Sequence, residues 1–277
     1  MMIAAMQKLA AELPLPMHYD WEMPDELPIR IPPEIKGAFE RNVYLKEHLK
    51  DAFIDDAELR TSLWIIQDWG GIKTFKNTDK NRNRIDTFYK QLAKKKLTKD
   101  IHNVLPSLSK LAAFRWPGEY SIYDSRAVFS LNWLLFCHTE EPKLFPQPPA
   151  RSKSLLEVDT QTLFRLSGRP YSVRSHKTAY FEYCELLSKL STEALKEEQP
   201  YHAEMLLFVA APQWIPRDIR DRTVVTITTN GEQDGVDQPA SAPGSKSEGE
   251  EKDVRVTSKH STYRLRLAWR CEAVRYG

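Results

Sequence analysis

The chain has 277 residues, of which 41% are apolar and 28% are charged. Forty Lys and Arg residues oppose 38 Asp and Glu residues, and the resulting net charge of +2 excludes a uniformly basic nucleic-acid-binding chain and an acidic disordered one. The apolar stretches are far shorter than the roughly 20 residues that a membrane span needs, and the N-terminus lacks the features of a signal peptide. We therefore expect a cytoplasmic protein that makes no contact with a membrane.

The residue types that commonly hold metals or nucleotides form no known motif in this sequence. Cys137, Cys184 and Cys271 are isolated from one another, which excludes a zinc ribbon and a local iron–sulfur site and suits a reducing compartment. Gly-rich phosphate loops, the nucleophile-elbow motif and the helical zinc motif are also missing. The sequence therefore predicts neither a metal nor a cofactor.

Residues 1–33 are predicted to form a proline-rich N-terminal arm. Six prolines lie at positions 14, 16, 24, 28, 32 and 33, and proline disfavours helix at its own position and at the preceding residue. We expect its stretch Leu13–Pro33 to run extended across a surface, and the arm could contact a partner protein.

Residues 34–221 are predicted to form a helical array, because apolar residues recur three and four positions apart and the connections contain Pro or Gly. The predicted helices cover 39–49, 59–69, 82–96, 108–115, 125–137, 155–166, 175–190 and 201–211. The acidic residues Glu182, Glu185 and Glu204 lie on the last two of these helices, and we expect them to face solvent or to pair with Lys189.

Residues 222–277 are predicted to form a small antiparallel β element. Arg222–Thr229 is rich in β-branched residues and Thr262–Ala273 alternates apolar and polar residues, so we expect the two to pair as a hairpin. The segment 230–253 between them contains four of the ten glycines and is predicted to be a disordered acidic loop, a second place for a protein contact. The expected fold is thus mainly α with a C-terminal β element.

Charge is segregated along the chain although the total is close to zero. Residues 1–59 contain six basic and 12 acidic residues, whereas residues 73–99 contain ten basic and two acidic residues. This density of cations on a helix and the preceding turn is typical of contacts with the phosphates of DNA or RNA; the alternative is a solvated face paired with the acidic N-terminal region. The candidate nucleic-acid-binding residues here are Lys73, Lys76, Lys80, Arg82, Arg84, Lys94, Lys95 and Lys96.

The most informative stretch is Asn103–Asn132, with the sequence NVLPSLSKLAAFRWPGEYSIYDSRAVFSLN. Leu105-Pro106 is predicted to start a tight turn that leads into a short helix. After Pro117-Gly118, an extended pass leads to Asp124, which is predicted to cap the helix beginning at Ser125. Helix dipoles and free backbone N–H groups favour the charged form of a capping carboxylate, so we expect Asp124 to stay ionised.

This stretch resembles the helix–hairpin–helix superfamily of base-excision DNA glycosylases. LPSLSK at Leu105–Lys110 stands where those proteins have a hairpin of the type LPGVGxK, and SIYDSR at Ser121–Arg126 stands where they have the catalytic Asp. The resemblance implies a hairpin-type helix–turn–helix at the centre of the fold, with Ser107 and Ser109 at a bound phosphate. It also implies DNA binding, extrusion of a base and a catalytic Asp124 that stabilises the sugar cation.

The resemblance leaves two alternatives for the nucleophile that bifunctional members use. Lys110 takes this role if the hairpin anchors the comparison, although serines replace the hairpin glycines and only 14 residues separate Lys110 from Asp124. If the comparison is instead aligned on Asp124 without gaps, Pro106 stands at the position of the family's Lys, and the lyase chemistry disappears. The candidates for stacking on an extruded base, with the protein core as the alternative, are Trp116, Tyr120 and Tyr123.

The sequence therefore predicts a DNA-binding protein of the helix–hairpin–helix glycosylase type, a DNA N-glycosylase if it is an enzyme. A looser resemblance, to uncharacterised bacterial proteins with the pattern SK…AF…P…YxIYDSR, implies a role in defence against phage. Two alternatives stay open. One is a non-catalytic nucleic-acid-binding subunit of a defence complex, and the other is a helical protein-interaction module whose basic segment meets an acidic partner.

Overall fold

The computed structural model describes residues 1–54, 56–149, 159–229, 252–258 and 261–269, and it is mainly α-helical, as predicted. The helices in chain order are α1 (Met2–Glu12), α2 (Leu15–His18), α3 (Ala38–His48), α4 (Arg60–Trp64), α5 (Asp79–Ala93), α6 (Lys99–Asn103), α7 (Leu105–Arg115), α8 (Ser125–His138), α9 (Thr160–Leu166), α10 (Ala179–Leu190), α11 (Tyr201–Ala210) and α12 (Trp214–Arg222). Within the residues just given, no helix has the length and apolar character needed to cross a membrane.

Shorter elements extend or connect these helices. A 3-10 helix at Leu49–Phe53 follows α3, and single π-helical turns at Ile65–Trp69 and Ser191–Leu195 continue α4 and α10. The strands β1 (Lys143–Leu144) and β2 (Ser172–Val173) pair in parallel. This two-stranded pairing fastens the loop after α8 to the segment before α10.

Three antiparallel strands lie at the C-terminal end of the described residues. They are β3 (Thr223–Thr229), β4 (Lys252–Ser258) and β5 (Ser261–Trp269), hydrogen-bonded in the order β3-β5-β4. The predicted acidic loop at 230–253 lies outside the described residues except for its last two positions. The predicted hairpin stays a prediction, and no part of the candidate site depends on it.

The N-terminal region differs most from the prediction. Helix α1 occupies the start of the expected arm, and its Met6 and Leu9 are fully buried in the main hydrophobic core. The short helix α2 forms inside the proline-rich part because Pro16 lies in its first turn, where a missing N–H group is tolerated. The first residues of the chain therefore belong to the helical core.

The core is centred on α7 and α8, which are buried over most of their lengths. Helix α8 packs against α11 and α1, and the fully buried Trp133 of α8 donates its indole N–H to Asp218 Oδ2 of α12 at 2.8 Å. The apolar spacing does not predict α12, whose Pro216 lies near its start. This packing fixes the beginning of α8, where the candidate catalytic Asp124 lies.

We expect Leu9→Ala to lower the free energy of unfolding by about 2–5 kcal/mol, because it removes a fully buried side chain and leaves a cavity in the core. Lys8→Ala, at the exposed neighbouring position, should change it by less than about 0.5 kcal/mol. Urea unfolding followed by fluorescence measures both values. Equal, small effects for the two variants would place α1 outside the cooperative core.

Candidate functional site

A cavity of about 500 Å³ lies between the N-terminal region and the helices α7, α8 and α11. This volume is within the range of pockets that hold small molecules. Four aromatic residues line it, namely Tyr19, Trp21, Trp69 and Phe208. Four charged residues also line it, namely Lys110, Asp124, Arg126 and Glu204. The cavity can therefore enclose a flat ring and present both acidic and basic groups to it.

Asp124 caps α8, as predicted, and its Oδ1 accepts a hydrogen bond from the N–H of Ala127 at 2.7 Å. Burial raises the pKa of this carboxyl, while Lys110 and the N–H groups at the start of α8 lower it by a smaller amount. The net direction is upward, opposite to the direction in which the helix cap alone shifts the pKa. Loss of water around the carboxyl outweighs the helix dipole.

The segment immediately before Asp124 is extended and buried, and side chains of α7 and α10 satisfy backbone groups in it. Tyr123 donates its N–H to the Ser109 hydroxyl of α7 at 3.0 Å. The phenols of Tyr180 and Tyr183 on α10 donate to the carbonyls of Ser121 and Ile122 at 3.1 and 2.9 Å. Because buried backbone groups need partners, these bonds fix the path of the chain and the position of Asp124.

Lys110 lies on α7 and lines the same cavity as Asp124, with 7% of its surface exposed. Its Nζ donates to the carbonyl of Pro106 at 2.7 Å. The side chain passes against Gly70, where an added Cβ would stand 2.7 Å from Lys110 Cε. A glycine at position 70 therefore leaves the space through which this amine reaches the cavity.

The predicted tight turn at Leu105-Pro106 is wrong, because these residues form the first turn of α7. The N–H groups of Ser107 and Leu108 already bond to the carbonyl of Val104 at 3.0 and 3.2 Å. Ser107 lines the cavity, whereas the fully buried Ser109 does not. Pro106 suits the start of a helix as well as a turn, and the sequence alone does not distinguish the two.

The three residues predicted to stack on an extruded base do not line the cavity. Tyr123 is fully buried and its hydroxyl donates to the carbonyl of Pro146 at 2.7 Å. Tyr120 stacks on Tyr180, with ring centroids 5.9 Å apart. Trp116 is 37% exposed, but it lies against Arg115 and Tyr89 away from the cavity. The stacking role predicted for this trio is therefore wrong for this cavity.

The aromatic wall comes instead from distant parts of the chain and is held by Asn42. The amide of Asn42 donates to the carbonyl of Trp21 at 2.9 Å and accepts from the indole N–H of Trp69, also at 2.9 Å. Trp21 in turn donates to the carbonyl of Trp69 at 3.0 Å and packs edge-on against Phe208. One sequence signal could have indicated this wall. Tyr19 and Trp21 lie among the prolines of the N-terminal region, and such large aromatic side chains need another part of the protein to pack against.

Glu204 is buried instead of facing solvent or pairing with Lys189. Its Oε2 lies 3.3 Å from Nζ of Lys46, and both side chains are almost inaccessible to water. The N–H of Ile122 also donates to Oε2, at 3.4 Å. Burial raises the pKa of Glu204, the Lys46 ammonium opposes this rise, and the carboxyl of Asp124 adds to it. The cavity thus contains a second carboxyl that the sequence did not single out.

The basic segment, residues 73–99, is exposed, and residues that line the cavity flank it in the chain. All eight of its lysines are exposed, whereas Arg82 and Arg84 are half-buried. Within the described residues, the only ion pair of this segment joins Lys73 to Asp68, so its cations are not paired with residues 1–59. Ile72 and Asn103, on either side of the segment, both line the cavity.

Asp124→Asn should keep the helix cap, because an Asn oxygen can accept the same N–H group. Burial places the pKa of Asp124 above its unfolded value, so the unfolded chain loses its proton first as the pH rises. The variant should therefore become more stable than the wild type by a margin that grows with pH and then levels off.

Each unit of pKa difference between the folded and unfolded states corresponds to about 1.4 kcal/mol of this margin. Urea unfolding of both proteins at several pH values between about 4 and 8 measures it. A margin that shrinks as the pH rises would mean that the fold favours the ionised carboxyl.

No protein-family model, curated protein or solved structure matches the chain. Within the described part of the chain, His, Cys, Asp and Glu residues form no group of three or more that could hold a metal ion. The site is therefore described from the residues of this chain and not by comparison with a known protein. It consists of one cavity with four aromatic rings, two carboxyls, an amine and a guanidinium.

Proposed function

We propose that the protein binds DNA and releases a base from it, as a DNA N-glycosylase that uses Asp124. One observation carries this proposal. Asp124 and Lys110, the two residues that the resemblance to the glycosylase superfamily singles out, line one aromatic-walled cavity although they belong to different helices. A site that acts on a base needs such a cavity, because the base must leave the stack and enter the protein.

The cavity residues supply the groups that the reaction needs. When the bond between C1′ of the sugar and the base nitrogen breaks, its electron pair leaves with the base and C1′ becomes electron-poor. The ionised form of Asp124 would stabilise this positive charge. A water molecule, or the neutral amine of Lys110, would then add to C1′, and the amine would give a Schiff base after opening of the sugar ring.

The basic segment would hold the phosphates on both sides of the extruded nucleotide. Because the cavity residues Ile72 and Asn103 flank the segment in the chain, we expect DNA bound along it to pass the cavity mouth. Lys73, Lys76 and Lys80 follow the cavity residue Ile72 most closely in the chain. All three are exposed, and Lys73 already pairs with Asp68. Exposed lysines bind phosphates without a large desolvation cost, and such contacts are independent of DNA sequence.

We expect duplex DNA to bind with an affinity that falls steeply with salt, by a logarithmic slope of about −0.9 for each phosphate contact. The double variant Lys76→Glu/Lys80→Glu should weaken binding to all sequences alike and reduce the salt slope by about two. Fluorescence anisotropy at several salt concentrations measures both effects. The matched control, Lys8→Glu/Lys189→Glu, has the same net charge but changes lysines outside the basic segment.

Equal weakening by the two double variants would assign the effect to total charge and contradict a binding surface at residues 73–99. Absence of binding at low salt would remove the nucleic-acid proposal and favour a protein-interaction module.

We expect the wild type to release the base from at least one member of a panel of duplexes that contain modified bases. Asp124→Asn should slow this release by about a hundredfold or more, because the neutral side chain cannot stabilise the sugar cation. The assay scores abasic sites by alkaline cleavage. Its control is DNA binding, which Asp124→Asn should leave intact.

A Lys110→Gln variant separates the two alternatives for the nucleophile. If Lys110 forms the Schiff base, the variant loses the complex that borohydride traps, whereas hydrolytic release in the wild type gives no such complex. DNA binding without release from any duplex of the panel would contradict the enzyme and leave a non-catalytic DNA-binding subunit.

A further inference from the structure

The carboxyl of Glu204 is bound on one side only. Both of its hydrogen bonds, from Lys46 and from the N–H of Ile122, use Oε2. Within the described residues, Oε1 has no hydrogen-bond partner, and Glu204 lines the cavity. The side chain of Glu204 is 5% exposed and its Oε1 can be reached from the cavity, so a ligand there can donate a hydrogen bond to it.

Lys46 fixes the direction in which this carboxyl points. Its side chain is fully buried, and its Nζ lies 5.0 to 5.8 Å from the ring centres of Phe114, Tyr201 and Trp69. These rings hold the ammonium group by cation–π attraction, and its anionic partner among the described residues is Oε2 of Glu204. The second oxygen is therefore the one that is available to a molecule in the cavity.

We propose that Glu204 selects the ring that enters the cavity, by accepting a hydrogen bond from an N–H group on the edge of an extruded base. This inference rests on the proposed function in assuming that the occupant is a nucleobase. Tyr19, Trp21, Trp69 and Phe208 enclose a flat ring, and aromatic contacts of this kind accept every base alike. Discrimination then depends on polar contacts, and Oε1 of Glu204 is an acceptor that the cavity offers. Lys46 acts on the base only through Glu204 and is a positioning residue.

A base that turns a lone pair towards Oε1 would be repelled by the lone pairs of this oxygen. A base that turns an amino or imino N–H group towards it would be bound. A site built to bind an N–H group rejects an analogue without it strongly, because its own buried group is then left unpaired. We expect a base whose N–H carries a methyl group instead to bind at least about tenfold more weakly, which corresponds to about 1.4 kcal/mol.

The test uses free bases and the full chain, so it requires neither DNA binding nor base release. The probes are 9-methyladenine, 1-methyluracil and 9-methylhypoxanthine, each compared with the derivative in which methyl groups replace the N–H hydrogens of its hydrogen-bonding edge. Calorimetry gives the affinities, and quenching of tryptophan fluorescence gives an independent signal because Trp21 and Trp69 line the cavity.

In Glu204→Gln, the Lys46 ammonium should attract the amide oxygen and turn the NH₂ group towards the cavity. We expect the preference for N–H bases to disappear or to reverse. Steric rejection of the methyl groups would persist in this variant, so an unchanged affinity ratio overturns the proposal. Glu185→Gln, at an exposed position of α10, is the matched control and should keep the wild-type ratio.

If Glu204→Gln does not fold, the double variant Lys46→Met/Glu204→Gln removes the buried charges together, a change that proteins often tolerate. It too should lose the preference. Equal binding of the paired bases by the wild type, or no binding of any base, overturns the proposal. Selective binding of free bases without release of any base from DNA would contradict the glycosylase and leave the role of Glu204 in place.

Discussion

The carboxyl of Glu204 is the group on which the cavity depends. It joins Lys46 of α3, the backbone of Ile122 before α8 and its own helix α11, and it faces the cavity as well. Removing two charges from water costs several kcal/mol for each ion, and their attraction repays this only with good geometry and additional hydrogen bonds. The ion pair of Lys46 and Glu204 therefore contributes little net stability. Its main effect is to orient the carboxyl of Glu204. It sets the direction of one oxygen and the path of the chain that delivers Asp124.

Local signals sufficed for those parts of the fold that have regular apolar spacing or a side-chain cap. Thr78 caps α5 and Asp124 caps α8, and both helices were predictable to within a few residues. Helix α1 has no side-chain cap and buries only Met6 and Leu9, so its sequence alone resembles the start of an arm. At Pro106 the local signal was ambiguous, because proline favours the first turn of a helix as much as a turn. The burial of α7 in the core explains why a helix forms there and not a turn.

The candidate site was predictable only where its residues are close in the chain. Asp124 and Lys110 lie in one short stretch, and their pattern could be noticed there. Trp21, Trp69 and Phe208 meet only in the folded protein, and no spacing relates them. Glu204 lies in a helix that is apolar on nearly every side, so no polar face existed to show which way its carboxyl points. Its partner Lys46 is 158 residues away, which only the tertiary structure could reveal.

The distribution of charge differs between the cavity and the surface. Inside the cavity, the carboxyls of Asp124 and Glu204 oppose the cations of Lys110 and Arg126, so the lining is close to balanced. Outside, residues 73–99 carry ten basic and two acidic residues, and eight of the lysines face water. A phosphate gains most at exposed cations, where neither partner must lose all its water, and least beside two carboxyls. A neutral ring with N–H donors has the opposite preference, since the cavity offers aromatic faces and the acceptor of Glu204. Under the proposed function, the phosphates of a bound nucleic acid would thus remain on the basic segment while a base enters the cavity.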